Sequence, residues 1–147
     1  MSKILYTGAE MSYEEKRAWI YAAVAFVVPA IYAVIVFGRL AGTDVTQISY
    51  ARPLLIAIGA GFVANMLTTM LIGAPKEARH SDERDAGILR YATQTGYFVL
   101  ATGVGGAFLL TLAGVAHFWI ANALYLAFVL DALVSSIVKI VAYRRGF

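Results

Sequence analysis

Long runs of apolar residues, separated by short charged segments, dominate the pattern of this chain. Residues 18–38 contain no charged side chain, and residues 53–75 are uncharged between Arg52 and Lys76. A helix needs about 20 apolar residues to cross a hydrocarbon core about 30 Å thick. Each of these two runs therefore predicts one membrane-spanning helix.

A third apolar run, residues 91–130, contains no formal charge at pH 7. A single helix over these residues would be about 60 Å long, twice the thickness of the hydrocarbon core. The run must therefore fold back, and Gly114–His117 is the natural turn. The pattern predicts four spans, and their bounds are about 18–38, 53–74, 93–113 and 118–143. We expect one all-α domain over residues 1–147, an integral membrane four-helix bundle.

The positive charges give this bundle a direction. Of the 12 Lys and Arg residues, only Arg39 and Arg52 lie in the first predicted outer loop, and the second outer turn has none. The other ten flank the opposite ends of the spans, and positive residues concentrate in cytoplasmic segments. We therefore predict that both termini and the loop 75–92 are cytoplasmic. The ten are Lys3, Lys16, Arg17, Lys76, Arg79, Arg84, Arg90, Lys139, Arg144 and Arg145.

Two sequence signals mark helix starts on that side. Ser12 and Glu15 have the S-x-x-E spacing of a capping box, so the first helix should begin before it enters lipid. Ser81 or Asp82 is a candidate N-cap for a helix that continues into the third span. The first outer loop is expected to hold one turn after Asp44.

The composition supports a membrane protein and excludes several kinds of chemistry. The chain is 61% hydrophobic and only 14% charged, whereas soluble proteins average about 25% charged residues. The absence of cysteine excludes disulfides, thiolate metal sites and cysteine nucleophiles. The isoelectric point near 9.3 reflects an excess of Lys and Arg beside the predicted spans. Insertion orientation and attraction to anionic lipid headgroups explain cations at such positions, so no direct binding of nucleic acid is predicted.

Asp131 is the polar residue that most needs an explanation, because it lies near the middle of the fourth span. An acid at that depth costs roughly 2.5 to 3.5 kcal/mol and normally faces other helices or water. Ser135, one turn later, is the nearest polar neighbour, and Asn65 of the second span lies at a similar depth. We favour a structural hydrogen bond from Asp131 to Asn65 or to the carbonyl that Pro29 leaves free at Ala25. The alternative is a proton or cation site in a transport path.

Small residues spaced four apart also occur in the spans, and such pairs let helices approach closely. We expect them to line the inside of the bundle, and the alternative is a dimer face. The pairs are Ala60 with Ala64, Ala101 with Gly105, and Thr102 with Gly106.

The cytoplasmic loop contains the densest group of charges, Asp82, Glu83, Arg84 and Asp85. Together with His80, these carboxylates are compatible with a divalent cation. We favour helix-capping carboxylates paired with neighbouring arginines, because acidic residues are stabilised in the first turn of a helix. No catalytic, cofactor or metal site is predicted anywhere in the chain.

Several segments resemble a family of small four-pass membrane proteins, notably actinobacterial, whose domain has no established activity. Their most specific mark is the run Asp82–Asp85 after the second span. The resemblance implies a prokaryotic plasma membrane. Similar families look as if they are encoded beside helix-turn-helix regulators, which implies a membrane partner for a transcription factor. The other matching segments are residues 11–16, 75–78, 117–122 and 138–147.

Two functions therefore remain open. We favour a non-enzymatic regulatory or accessory protein whose cytoplasmic loop binds a protein partner in the cytosol or in the membrane. The alternative is an oligomeric proton-coupled transporter or channel that uses Asp131.

Overall fold

The structure, a computed structural model, describes residues 13–72 and 83–145. The described residues form four long α-helices and one short 3₁₀ helix, so the all-α prediction with four helices is confirmed. The predicted caps Ser12, Ser81 and Asp82 lie outside the described residues. The helices are α1 (Tyr13–Gly38), α2 (Ala51–Leu71), α3 (Glu83–Leu112) and α4 (His117–Arg145).

Charges in the terminal turns favour three of these helices. Glu14 and Glu15 occupy the first turn of α1, and Glu83 and Asp85 occupy the first turn of α3. These carboxylates stabilise the positive end of each helix dipole. The last turn of α4 contains two arginines, which stabilise the negative end in the same way. The helix-favouring charges therefore lie where α1 and α3 begin and α4 ends.

Both predicted turns at the other end of the molecule are present. Asp44 caps the 3₁₀ helix Val45–Gln47, and its Oδ1 accepts a hydrogen bond from the Thr46 amide at 3.1 Å. The end of α3 is a Schellman motif in which Gly114 has φ +70°, a conformation that glycine adopts without strain. The chain then turns directly into α4.

The helices pack in the order α2, α1, α4, α3. The most extensive contact joins α3 to α4, followed by α1 with α4 and then α1 with α2. A cluster of buried residues lies at the end of the molecule that contains the 3₁₀ helix, which we call the loop end. It is centred on Val36 and Phe118 and includes Ile48 from the loop itself. The opposite end, where α1 and α3 begin and α2 and α4 end, is the charged end.

Each of the four helices is long and apolar enough to cross a membrane. At most 17% of the most apolar stretch of any helix is buried inside the molecule. Large apolar side chains such as Phe62 and Leu71 are instead exposed around the outside. The four candidate spans and their apolar outer surface indicate a multi-pass membrane protein.

Candidate functional site

The charged end is held together by contacts between α4 and α1. Arg144 Nε donates to Glu15 Oε1 at 3.2 Å, and the same guanidinium lies 5.5 Å from the centre of the Trp19 ring. Because the Arg144 side chain is mostly exposed, the ion pair is screened by water and contributes little, about 0–1 kcal/mol. These contacts show that the C-terminal turn of α4 lies beside the first turns of α1.

Asp85 joins the start of α3 to the end of α4. The Tyr143 hydroxyl donates to Asp85 Oδ1 at 3.1 Å, and both side chains are partly buried. We expected Asp85 to pair with Arg79 or Arg84, of which Arg79 lies outside the described residues. The hydrogen-bond partner of Asp85 among the described residues is a tyrosine from another helix. Asp85 therefore contributes to packing between helices.

Glu83 and Arg84 precede Asp85 and are more exposed than it is. Both are exposed at the start of α3, and neither makes an ion pair or hydrogen bond to the described residues. Asp82, the first member of the predicted group, lies outside the described residues. The group thus divides into one residue that binds α4 and two that face outward.

Asp131 lies in the seam between α3 and α4, which we define by the close approach of Gly96 to Asp131 and Ser135. Ser135 Oγ lies 3.3 Å from Asp131 Oδ1 and 3.3 Å from the Ala92 carbonyl oxygen, so it links the two helices. A Cβ built on Gly96 would overlap both Ser135 Oγ and Asp131 Oδ1. The seam therefore requires glycine at this position.

Asn65, the third residue of the predicted intramembrane site, is not with the other two. It lines a groove between α1, α2 and α4, and Ala132 of α4 lines the same groove. Asp131 precedes Ala132 by one residue, and adjacent helical residues point about 100° apart. Asp131 and Ser135 are thus brought together, whereas Asn65 serves a different surface.

The small residues at the seam are not the pairs that were predicted from the sequence. Ala92, Gly96, Gly103 and Ala107 face α4, and Gly103 contacts Ala127 so closely that a Cβ would overlap it. The expectation that the predicted α3 pairs line the inside is wrong, because they point elsewhere on the same helix. The exposed members are Ala60, Ala101, Thr102, Gly105 and Gly106.

Two apolar grooves run along the middle of the molecule. The α3 groove lies between α1, α4 and the end of α3 and has a volume of about 780 Å³. The α2 groove lies between α1, α2 and α4 and has a volume of about 610 Å³. Pro29 and Ala25 line both grooves, because α1 lies between them. Both volumes fall within the range of about 300 to 1,000 Å³ that is typical of ligand sites.

A polar link between α1 and α4 was not predicted from the sequence. The Tyr32 hydroxyl donates to Asn122 Oδ1 at 2.8 Å, while Asn122 Nδ2 donates to the Phe118 carbonyl oxygen at 2.7 Å. Tyr32 also meets the Tyr125 ring edge to face, with centroids 5.2 Å apart. Asn122 was part of the family resemblance, and an amide inside an apolar span was the available signal.

Within residues 13–72 and 83–145, no group of three His, Asp or Glu side chains is placed to hold a metal ion. Comparison of the chain with protein-family models, with curated proteins and with solved structures found no match. The family resemblance therefore stays a prediction.

Proposed function

We propose that this protein is a non-enzymatic regulatory or accessory membrane protein that binds a protein partner through its charged end. The observation that supports this most directly is the difference between Asp85 and the two charged residues before it at the start of α3. Asp85 accepts a hydrogen bond from Tyr143, whereas Glu83 and Arg84 are exposed and form no hydrogen bond or ion pair with the described residues. Two adjacent, opposite and exposed charges give a partner a specific surface to recognise.

The charged end is proposed to face the cytoplasm. Seven Lys and Arg residues of the described helices lie toward this end, and three more lie in the sequence before α1 or between α2 and α3. Positive residues are retained on the cytoplasmic side during insertion. The charged end would then be accessible to cytosolic proteins in the prokaryotic plasma membrane. A transcription regulator held near the membrane is the partner that the family resemblance suggests.

Cysteine labelling in intact cells tests the orientation, because the chain has no native cysteine. Thr43→Cys at the loop end should react with a membrane-impermeant maleimide, and Glu83→Cys should react only after the cells are opened. Labelling of Glu83→Cys in intact cells would refute the proposed orientation.

Co-purification of full-length variants tests the interaction. The double variant Glu83→Lys/Arg84→Glu swaps the charges without changing the net charge and leaves Asp85 bound to Tyr143. It should lose a protein that the wild type retains, and mass spectrometry identifies that protein. Arg52→Glu, an exposed charge reversal at the loop end, should retain it. An identical set of partners in all three samples would contradict the proposal.

The transport alternative depends on Asp131. Asp131 belongs to the seam and is not among the residues that line either groove, so a structural role is favoured. The two roles are separated by Asp131→Asn in liposomes, because an amide cannot exchange protons. A substrate-driven proton flux that this substitution abolishes would support transport, whereas an unchanged flux would remove that alternative.

A further inference from the structure

The α2 groove continues toward the charged end along one face of each of its three helices. Arg17 lies four residues before Tyr21 of the groove, and Thr69 lies four residues after Asn65. Lys139 lies seven residues, or about two turns, after Ala132. Residues separated by four or seven positions share a helix face. Arg17, Thr69 and Lys139 are therefore the continuation of the groove at the charged end.

The contacts between these residues agree with the register. Arg17 Nη2 donates to Thr69 Oγ1 at 3.4 Å, which joins α1 to α2. The Lys139 ammonium from α4 interacts electrostatically with both Arg17 and Glu14. Among the described residues, the Lys139 ammonium thus interacts with one other cation and one carboxylate at the head of the groove, which leaves a net positive charge there.

We propose that the α2 groove binds one anionic glycerophospholipid, with an acyl chain in the groove and the phosphate between Arg17 and Lys139. The apolar lining fits a hydrocarbon chain, and the two cations at one end complement a single negative headgroup. A soluble phosphate would use the cations but leave the groove empty. The lipid source is favoured because the groove and the cations lie on the same helix faces.

Asn65 provides a polar group for the ester region of such a lipid, which lies between the phosphate and the acyl chains. Its side chain faces the groove one turn below Thr69, and its amide makes no hydrogen bond to the described residues. The ester carbonyls of a glycerophospholipid lie between the phosphate and the acyl chains, and they accept hydrogen bonds. Asn65 is therefore placed to donate a hydrogen bond to an ester carbonyl. This gives Asn65 a role that is separate from that of Asp131.

Binding is measured on the delipidated full-length protein by native mass spectrometry, with phosphatidylglycerol and phosphatidylcholine of identical acyl chains. Phosphatidylglycerol should bind more tightly to the wild type. Arg17→Gln/Lys139→Gln should weaken its binding by roughly 25-fold, since each cation beside an anionic lipid contributes about a fivefold factor. Arg90→Gln/Arg145→Gln removes two exposed cations from the same end and should leave binding within about twofold. Equal losses in both double variants would overturn a specific headgroup site.

A pair of glycines in α2 tests the groove itself. Gly61 lines the groove, whereas Gly59 is exposed outside it, and an added Cβ meets no atom at either position. Gly61→Leu should fill the groove and reduce binding of both lipids, while Gly59→Leu should leave binding unchanged. Because both substitutions replace a helical glycine with leucine, their effects on α2 itself are matched. Equal binding by the two variants would overturn occupation of the groove.

Competition separates the lipid from its headgroup alone. Inorganic phosphate and glycerol phosphate at millimolar concentration should not displace phosphatidylglycerol, and displacement would show that the cations bind anions without the groove. This inference depends on membrane insertion but not on the protein partner. Loss of lipid binding with partner binding intact, or the reverse, therefore distinguishes failure of this inference from failure of the proposed function.

Discussion

The α3–α4 seam and the α1–α2 contact use similar residues in different ways. Both α2 and α3 contain several glycines and alanines, yet α2 buries only Ala57 while α3 buries Ala92, Gly96 and Ala107. At the seam, helix backbones approach so closely that Gly96 and Gly103 have no room for a Cβ. In α2, Gly59 and Gly61 face open space. Small residues therefore strengthen helix packing only where their spacing keeps them on one contacting face.

The largest effect that tests this comparison is expected from Gly96→Leu. The new side chain would overlap Asp131 and Ser135, and overpacking of this kind costs typically about 1 to 3 kcal/mol. The unfolding temperature in mild detergent should fall clearly. Gly105→Leu in α3 and Gly59→Leu in α2 face open space and should leave it nearly unchanged. If all three variants unfold at the same temperature, the seam is not the tighter contact.

A smaller effect is expected from removing the polar atoms of the seam. Asp131→Leu abolishes the contact with Ser135 Oγ at 3.3 Å. This contact lies within α4, and it holds Ser135, whose Oγ donates across the seam to the Ala92 carbonyl oxygen. A hydrogen bond between helices in lipid is worth about 0.6 to 2 kcal/mol. Asp131→Asn keeps the shape of the side chain and a hydrogen-bonding atom beside Ser135, so its unfolding temperature should stay close to that of the wild type. A variant with Asn that is as unstable as the variant with Leu would show that the carboxyl group itself is required.

The helices of this fold were easier to predict from the sequence than the faces by which they contact each other. Span number followed from the length of the apolar runs, and the 40 uncharged residues had to turn near Gly114, where the chain does turn. The contacting face of α3 could not be predicted in the same way. Its small residues occur on several faces, and hydrophobicity does not distinguish lipid from a neighbouring helix.

The candidate sites show the same limit. Asp131 and Ser135 are one turn apart in one helix, so their contact follows from local geometry. The distance of Asn65 from them depends on how α2 is rotated against α1, which no local pattern specifies. The link between Tyr32 and Asn122 likewise joins residues 90 positions apart.

Loss of one hydrogen bond between α1 and α4 is expected to lower the unfolding temperature less than the substitutions at the seam do. Tyr32→Phe removes the hydroxyl that donates to Asn122 Oδ1 at 2.8 Å but keeps the ring in place. Single interhelical hydrogen bonds in membrane proteins average about 0.6 kcal/mol, so a small drop in unfolding temperature is expected. Tyr125→Phe keeps the edge-to-face contact with Tyr32 and should have less effect. A larger loss for Tyr125→Phe would mean that its hydroxyl contributes more to packing.

The smallest effect is expected at the charged end, from Arg144→Gln. This substitution removes the ion pair with Glu15 and the contact with the Trp19 ring, but the arginine is mostly exposed. Many exposed ion pairs contribute nothing measurable, and exposure of the guanidinium weakens the cation–π contact as well, so the combined loss should stay below that of Tyr32→Phe. The destabilisation should shrink further at 1 M salt, where the screening length is only about 3 Å. Arg145→Gln removes an exposed charge that makes no ion pair with the described residues and should have no measurable effect.

The steric effect of Gly96→Leu should not depend on salt, because overlap of atoms is not electrostatic. A salt-dependent loss at Gly96 would therefore show that electrostatics holds the α3–α4 seam together.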